Sequence, residues 1–287
     1  MDNRFVLISD STCDLSPKMV EELDLHILPL HFTIGETTYF DGEIPPHEFY
    51  DMLRAGETAV TSQITPTAFA EAFEPFLQEG ADVLYLAFSS GLSGTCNAAG
   101  IAAGELREKY PERRIEVVDS LAASMGEGLL AYHAANMRKE GASFDEVRGW
   151  LEDNKLNMAH WFTVDDLHFL TRGGRVSSAA ALFGSMLGIK PVLHVDDEGH
   201  LIPRQKVRGR AASLEAMAAQ MEKAAINPQL QTVFISHGDC LADAQKLADI
   251  IRKRLGVRDI HIHTVGPVIG SHSGPGTLAL FYLGTNR

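Results

Sequence analysis

The class of fold is clearest in residues 82–118, which read DVLYLAFSSGLSGTCNAAGIAAGELREKYPERRIEVV. Residues 82–88 are almost continuously apolar and predict a buried strand, and a second apolar run covers 115–118. The segment from Thr95 to Lys109 between them is long enough for a helix, and short loops join it to both strands. A strand, a helix and a second strand with short connections predict neighbouring parallel strands in an α/β fold.

The same alternation continues on both sides of this unit. A buried strand is predicted at residues 4–8, and a helix begins at Ser16-Pro17, where a polar N-cap precedes a proline in the first turn. Thr65 is a candidate cap for a helix over 66–77, and a glycine within 31–40 indicates a small hairpin. The other predicted elements of this half are a strand at 25–30 and helices at 124–139 and 144–155. This half therefore predicts a mostly parallel sheet.

A second series of elements begins after the polar residues EDNK at 152–155. We place a domain boundary there, which divides the chain into residues 1–157 and 158–287. The strands predicted in the second half lie at 159–164, 189–195, 201–207, 232–236, 260–265 and 278–283, and its helices at 211–225 and 242–255. The sequence therefore predicts two α/β domains.

Composition limits the partners that the chain can have. The 287 residues are 45% apolar and carry a net charge of −13, whereas nucleic acids and anionic membranes attract basic surfaces. Cys13, Cys96 and Cys240 are too few and too scattered for a disulfide framework or a zinc site. No stretch approaches the ~20 apolar residues of a membrane span, and the N-terminus lacks a signal-peptide core. We expect a cytoplasmic protein with no nucleic-acid partner and no stable membrane insertion.

Hydroxyl side chains are concentrated next to predicted strand ends. The stretches are SDST at 9–12, TSQ at 61–63, SSGLSGT at 89–95 and DS at 119–120. In open parallel sheets, ligands bind beyond the carboxyl ends of strands, where free N–H groups and helix dipoles favour an anion. Ordinary helix capping is the alternative explanation for each stretch alone. The glycines within 89–95 favour close approach to a carboxylate or phosphate, but GxxxxGK[ST] and GxGxxG are both missing, so ATP binding is not predicted.

Among the histidines, His272 is the candidate binding residue. It lies in GSHSGPG at 270–276, which predicts a loop after the apolar residues 265–269. An imidazole held by such a backbone can donate a hydrogen bond to an oxyanion, and a turn histidine facing water is the alternative. His261 and His263 share one face of a strand, but no third ligand accompanies them, so no metal site is predicted.

Residues 172–210 form a basic region in an acidic chain, with seven lysines and arginines against three acids. Within TRGGR at 171–175, a tight turn after a strand or strand end at 166–170 would project the guanidinium groups of Arg172 and Arg175 outward. Arginine suits a phosphate or a partner's carboxylate because its donor fork is planar. We therefore predict a docking role for both arginines, and a solvated charged face is the alternative.

These motifs together resemble the DegV family, and the resemblance runs from end to end of the chain. It rests on SDSTCDL at 9–15, DG at 41–42, TSQ at 61–63, SSGLSGT at 89–95, DS at 119–120, GEG at 126–128, LTRGGR at 170–175, IKP at 189–191, KVRG at 206–209 and GSHSGPG at 270–276. One such block would be suggestive, whereas this many in order are specific. The family consists of bacterial fatty-acid-binding proteins that serve as lipid-carrying subunits of fatty acid kinase.

The resemblance implies two α/β domains, with a mixed sheet in the second, and a long-chain fatty acid buried between or within them. It implies no catalytic residue, metal or cofactor in this chain. The partner that it implies is a dihydroxyacetone-kinase-like ATP-binding subunit, which converts the bound acid to an acyl phosphate. The residues that would bind the fatty-acid carboxylate are Thr61, Ser62, Ser93, Gly94, Thr95 and His272.

Two other functions remain open at this point. A serine hydrolase or acyltransferase would use Ser93 and His272 with an acid such as Asp10, although the GxSxG spacing around the serine is absent. A lipid-binding regulator would hold the same ligand without a kinase partner.

Overall fold

The computed structural model describes residues 5–176 and 188–287. The strands of these ranges are β1 (Phe5–Asp10), β2 (His26–Leu28), β3 (His31–Ile34), β4 (Thr37–Phe40), β5 (Ala59–Ser62), β6 (Asp82–Ala87), β7 (Ile115–Asp119), β8 (Met158–Thr163), β9 (Ile189–Val195), β10 (Leu201–Arg208), β11 (Thr232–His237), β12 (Asp259–Thr264) and β13 (Leu278–Leu283). The helices are α1 (Pro17–Leu23), α2 (Pro46–Arg54), α3 (Pro66–Gln78), α4 (Thr95–Lys109), α5 (Met125–Lys139), α6 (Phe144–Asn154), α7 (His168–Arg172), α8 (Arg210–Ala224), α9 (Leu241–Leu255) and α10 (Pro267–Ser273). None of the helices in these two ranges is long and apolar enough to cross a bilayer.

A four-stranded parallel sheet forms the centre of the first half, in the order β2-β1-β6-β7. The predicted unit over 82–118 is confirmed, because β6 and β7 lie side by side and α4 connects them. Ser16 caps α1 and Thr65 caps α3 through their side-chain oxygens, as the sequence predicts. Residue 4, where the first strand was predicted to start, lies outside the described residues.

The second half contains a six-stranded mixed sheet in the order β10-β9-β8-β13-β11-β12. Only β11 and β12 run parallel among these neighbours, and the other pairs are antiparallel. Helices α8 and α9 cover one face of this sheet and form an apolar core with it. The α/β class and the contrast between a parallel and a mixed sheet are therefore confirmed, whereas the domain boundary at 157/158 stays a prediction.

Helix α5 links the two sheets. Its apolar side chains belong to one hydrophobic core with Leu84 and Leu86 of β6 and with Phe234 of β11 and Phe281 of β13. Close packing requires glycine at two positions in its first turns. A methyl group at Gly126 would collide with the buried imidazole of His160, and one at Gly128 would lie 2.5 Å from the carbonyl oxygen of Cys13.

A third, antiparallel sheet has the order β4-β3-β5. The predicted hairpin is confirmed by β3 and β4, and Gly35 takes a positive φ of 60° in its turn. Strand β5 was not predicted, because it is only four residues long and its polar end was assigned to the segment before a helix. Alternation places Thr61 on the opposite face of this sheet from Val60 and Ser62.

Two predictions of local structure are wrong, one for the GSHSGPG stretch at 270–276 and one for residues 166–170. His272 lies in α10 and not in a loop, because Pro267 starts a helix that continues through Gly270. Residues 166–170 do not form a strand, since α7 covers Phe169 and ends at Arg172. Helix α2 was also missed; it begins at a Pro-Pro pair, with Pro46 in its first turn and no side-chain cap.

We predict opposite effects for alanine at two helical glycines. Gly126→Ala should lower the free energy of unfolding by about 1–3 kcal/mol, because His160 and the strand that carries it must move. Gly104→Ala in α4 is the matched control; its site has open space within 4 Å, so better helix propensity should raise stability by roughly 0.5–1 kcal/mol. Chemical denaturation of both variants measures the difference. Equal effects at the two sites would show that the spacing around α5 is not tight.

Candidate ligand cavity

A cavity of about 320 Å³ lies between the loops of the first half and the mixed sheet. This volume falls at the lower end of the range of about 300–1,000 Å³ that is typical of small-molecule sites. Its walls are mainly apolar and come from both halves of the chain. The apolar residues that line it are Leu30, Phe88, Leu92, Ala123, Phe162, Leu170, Val195, Leu201, Val265, Val268, Ile269, Ala279 and Phe281.

Polar groups gather where the TSQ stretch, the SSGLSGT stretch and α10 meet the cavity. Thr61 Oγ1 lies 2.8 Å from Nε2 of His272, which comes from 211 residues further along the chain. Ser93 follows β6, and its Oγ lies 2.9 Å from Oγ1 of Thr95. We refer to Thr61, Ser93 and His272 as the polar cluster. Three segments that are distant in sequence therefore supply neutral hydrogen-bonding groups to one cavity.

Each member of the polar cluster is positioned by its secondary structure. Strand β5 pairs with β3, so that Thr61 lies opposite Phe32 and shares its buried face. The main-chain N–H of Thr95 donates to Ser93 Oγ at 3.2 Å, which fixes the serine at the start of α4. Gly94 packs so closely against the side chain of Gln63 that any larger residue would displace it.

His272 is neutral at physiological pH. Burial lowers the pKa of its imidazole to about 4, and the charges of Arg175 and Arg172 act in the same direction. Its Nδ1 has no hydrogen-bond partner among the described residues, and it faces Gly173, where a Cβ would collide with it. Nε2 of the neutral imidazole is hydrogen-bonded to the Thr61 hydroxyl, and either group can be the donor, depending on the tautomer of the ring.

Most of the predicted carboxylate-binding residues meet at the cavity. Thr61, Ser62, Ser93, Gly94 and His272 all line it. Thr95 does not line the cavity but is fully buried and contacts Ser93. Their role in binding a carboxylate stays a prediction.

The two predicted docking arginines have different surroundings. Arg172 is exposed, its guanidinium lies over the ring of Phe169, and its Nη1 lies 3.4 Å from Oγ1 of Thr58. Arg175 is turned inward instead: it lines the cavity and donates to the carbonyl oxygens of Leu92 at 3.3 Å and Gly173 at 2.5 Å. The expectation that both guanidinium groups project outward is therefore wrong for Arg175, because the chain reverses at Gly174 with a φ of 69°.

The other two hydroxyl-rich stretches do not line the cavity. Ser9 and Thr12 donate to the carboxylate of Glu127, at 2.7 and 3.0 Å. Oδ1 of Asp119 accepts hydrogen bonds from the main-chain N–H groups of Ser90 and Leu121, which is ordinary capping of a turn. Asp119 therefore stabilises a turn and does not cap a helix, whereas Asp10 of the 9–12 stretch caps the short 3-10 helix Ser11–Cys13. Helix capping therefore holds for Asp10, and the hydroxyls of Ser9 and Thr12 bind the buried Glu127.

The sequence did not reveal that four carboxyl groups lie buried around this region. Burial raises the pKa values of Asp10, Asp14 and Glu127, and it raises that of Asp41 to about 7. Asp14 accepts hydrogen bonds from the N–H of Gly266 at 2.8 Å and from Ser124 at 2.5 Å. Scattered aspartates carry no sequence signal for such a cluster, since they meet only through the tertiary fold.

The contacts differ from those of a serine hydrolase. His272 Nε2 contacts Thr61 and not Ser93. Asp10 is fully buried elsewhere, where it accepts hydrogen bonds from the hydroxyl of Tyr85 at 2.6 Å and from the main-chain N–H of Thr12 at 3.1 Å. In the described ranges the three residues therefore do not form the nucleophile–base–acid relay that this chemistry requires.

Possible metal ligands lie outside the cavity. Asp196, Glu198 and His200 come within 4.8 Å of one another in the turn between β9 and β10. Oδ1 of Asp196 accepts hydrogen bonds from the main-chain N–H groups of the other two, so the turn itself explains their proximity. His261 and His263 are not part of this group.

Fold and site together define a two-sheet α/β protein with a largely apolar cavity that ends in neutral hydrogen-bonding groups. The chain belongs to the DegV family: the family model described as "Uncharacterised protein, DegV family" matches residues 4–285. A DegV domain-containing protein of Clostridium perfringens is 49% identical over 99% of both chains. One from Streptococcus pyogenes serotype M3 is 38% identical, with 98% of this chain and 99% of the relative covered.

Solved structures of the family share the whole fold. A DegV family protein from Thermus thermophilus, described as binding fatty acid, superposes with a TM-score of 0.87 at 32% identity and covers 98% of this chain and 99% of its own. A Thermotoga maritima protein, described as revealing a fatty acid binding function, gives 0.82 at 32% identity, with 97% and 98% covered. DegV of Bacillus subtilis, described as a fatty acid binding protein, gives 0.86 at 28% identity, with 98% and 99% covered.

The buried carboxyl group of Asp41 leads to a prediction on pH and stability. The folded protein keeps a proton on this group up to about pH 7, whereas the unfolded chain releases it near pH 4, so this group makes the free energy of unfolding fall as pH rises through that window. Asp41→Asn should remove this contribution. The free energy of unfolding of the variant should rise relative to that of the parent by about 2 kcal/mol across the window. This is about half of what the difference between the folded and unfolded pKa values would give, because one carboxylate oxygen of Asp41 is buried while the residue as a whole is partly exposed.

Denaturant titrations at several pH values between about 4.5 and 7.5 measure this difference. The asparagine side chain can change the free energy of unfolding by a constant amount at every pH. The quantity to compare is therefore the change of the parent–variant difference with pH. A parent–variant difference that stays constant across the window would contradict the assignment of the titration to Asp41.

Proposed function

We propose that this chain binds a long-chain fatty acid in the cavity and presents its carboxylate to a separate ATP-dependent kinase subunit, which converts the acid to an acyl phosphate. The observation that carries the proposal is the junction of long apolar walls with the polar cluster of Thr61, Ser93 and His272. An amphiphile with one acidic end matches both parts of this cavity. The fatty-acid-binding descriptions of the solved relatives support the same ligand.

The acyl tail supplies most of the affinity in this proposal. About 14 methylenes at about 0.8 kcal/mol each give on the order of 11 kcal/mol before the costs of association. Phe162, Ala279 and Phe281 of the mixed sheet provide apolar contact along one wall. The polar cluster then mainly selects the chemical end group.

The carboxylate needs compensation because an unpaired charge inside a protein is costly. The hydroxyls of Thr61 and Ser93, the backbone near Gly94 and neutral His272 offer donors without adding a second full charge. Arg175 lines the same cavity, and its positively charged guanidinium donates to main-chain carbonyl oxygens, those of Leu92 and Gly173. We assign Arg175 to the surroundings of the carboxylate and keep only Arg172 as a docking residue.

The kinase step requires a partner, because the sequence lacks the glycine-lysine loop that binds ATP phosphates. The family resemblance points to a dihydroxyacetone-kinase-like subunit. Ser62 and Gln63 line the cavity and are exposed, so a partner can approach the polar cluster from the surface. We place this reaction in the cytoplasm, and we propose that residues 1–157 and 158–287 are the two units that enclose the ligand.

Fatty acid binding is tested directly by extraction and reloading. Protein purified from a bacterial host should release a long-chain fatty acid under denaturing conditions, and delipidated folded protein should bind one again. Thr61→Ala and Ser93→Ala should each weaken rebinding by about 1–3 kcal/mol, since each removes a hydroxyl next to the carboxylate. Thr33→Ala, on the exposed face of the same small sheet as Thr61, is the matched control.

Competitive displacement of a fluorescent fatty acid gives the affinities, and melting curves confirm folding. Failure of delipidated, folded parent protein to take up any fatty acid would refute the proposed ligand. Parent-like affinity in both alanine variants would place the carboxylate elsewhere.

The docking role of Arg172 is tested with lipid-loaded protein and a dihydroxyacetone-kinase-like subunit. Arg172→Ala should leave fatty acid binding unchanged and raise the half-saturating concentration for acyl phosphate formation about tenfold, which corresponds to about 1.4 kcal/mol. Arg172→Lys should restore only part of this loss, because lysine lacks the planar fork. Arg252→Ala, an exposed arginine on α9, is the control. Parent-like kinetics for Arg172→Ala would make it a solvated surface residue.

A further inference from the structure

A second group of buried hydroxyls lines the cavity apart from the polar cluster. Ser124, Ser236, Ser273 and Thr277 all face this space, and each has at least nine-tenths of its surface buried. A plain hydrocarbon tail offers such groups no hydrogen bond, and buried hydroxyls without partners are costly. The carboxylate end of a fatty acid already has Thr61, Ser93 and His272. Thr277 donates to main-chain carbonyl oxygens and Ser124 bonds to Asp14, whereas Ser236 and Ser273 keep hydrogen-bonding capacity that the described residues of the protein do not use.

Ser236 lies on β11, next to the edge strand of the mixed sheet, and lines the cavity. It lies opposite Ala279, which in turn lies opposite Phe162, so the three side chains form one row across neighbouring antiparallel strands. Ala279 and Phe162 are apolar and line the same cavity, whereas His263 of β12 pairs with Ser236 on its other side. The hydroxyl of Ser236 therefore borders an apolar part of the cavity wall.

A hydrogen-bonded chain holds this serine in place. Ser236 Oγ lies 3.0 Å from Ser124 Oγ, and the Ser124 hydroxyl donates to the carboxylate of Asp14 at 2.5 Å. Ser124 has only one hydroxyl proton, so Ser236 donates to it and keeps two lone pairs that can accept a hydrogen bond from a ligand in the cavity. When Asp14 is protonated, the chain can reverse, and Ser236 then donates into the cavity. A ligand hydroxyl fits both directions, whereas a carbonyl fits only one.

Ser273 provides an independent indication on another wall. Its Oγ has no hydrogen-bond partner among the described residues, although only 6% of the residue is exposed. It follows His272 in α10, and its carbonyl oxygen accepts a hydrogen bond from Thr277 Oγ1 at 2.8 Å. Thr277 lies two residues before Ala279, which places this pair next to the row that contains Ser236. A buried and unpartnered hydroxyl at this place points to a polar atom in the ligand.

We propose that the cavity contains an inner oxygen site, formed by Ser236 with Ser124 and by Ser273, which accepts a hydroxyl group on the acyl chain. The class of ligand is a long-chain fatty acid that carries one hydroxyl along its tail, and the inference rests on the proposed binding of fatty acids. An acyl chain with such a hydroxyl keeps its hydrogen bonds only if that group comes to rest at the inner oxygen site. Affinity should therefore depend on the position of the hydroxyl along the chain.

The experiment uses delipidated full-length protein, octadecanoic acid and a series of octadecanoic acids with one hydroxyl at successive positions. Competitive displacement of a fluorescent fatty acid gives each affinity. One position, or two adjacent positions, should bind at least as tightly as octadecanoic acid, and the others should bind about tenfold more weakly, because their hydroxyl is buried without a partner. Ser236→Ala and Ser273→Ala should each weaken binding of the preferred hydroxylated isomer about tenfold. The affinity of each variant for octadecanoic acid should change little.

Ser213→Ala is the matched control, since Ser213 is fully buried but donates to the carbonyl oxygen of Arg210 in α8 and does not line the cavity. The affinity profile of the parent protein already tests the proposal, so misfolding of a variant does not prevent a conclusion. A penalty of equal size at every hydroxyl position would overturn the inner oxygen site and leave fatty acid binding intact. Absence of binding for octadecanoic acid and for all of its hydroxylated forms would instead refute the proposed function.

Discussion

The close approach of α5 to both sheets is the constraint on which the rest of the structure depends. Gly126 lies against His160 of the mixed sheet, and Gly128 lies against the carbonyl oxygen of Cys13 beyond the parallel sheet. Glu127 between them is buried and accepts hydrogen bonds from Ser9 and Thr12. A small residue on either side of a buried acid thus sets the distance between the sheets. The cavity exists because the mixed sheet is held at this distance from the polar loops.

Polar groups inside this protein serve two different purposes. Asp14 and Asp41 accept hydrogen bonds from N–H groups at the start of α10, those of Gly266 and Val268, and so fix the helix whose far end carries His272. The groups on the cavity wall instead remain available to a ligand. Burial favours the protonated form of the first set and the neutral form of His272, so that both sets avoid full charges in the interior. The same low-polarity surroundings therefore suit a hydrocarbon chain.

Sequence patterns predicted the regular elements well where local signals are strong. Strand β6 and helix α4 were predicted nearly to the residue, because an apolar run and a helix of good length have short-range signatures. The second half of helix α10 was predicted as a loop because the stretch GSHSGPG at 270–276 is rich in glycine and serine. Tertiary hydrogen bonds from the start of the helix to buried acids outweigh the low helix propensity of these residues. The direction of Arg175 depends on a carbonyl contact 83 residues away, and no local pattern encodes such a contact.

The polar cluster also links the stability of the protein to ligand binding. Thr61 and His272 are 211 residues apart in sequence, so their site exists only in the folded chain. A ligand bound there stabilises the native state by mass action and has no matching site in the unfolded ensemble. The empty form is then the less stable one and the first to be reached by proteases. Cellular abundance of this protein would thereby follow the supply of the proposed ligand, with no dedicated sensor.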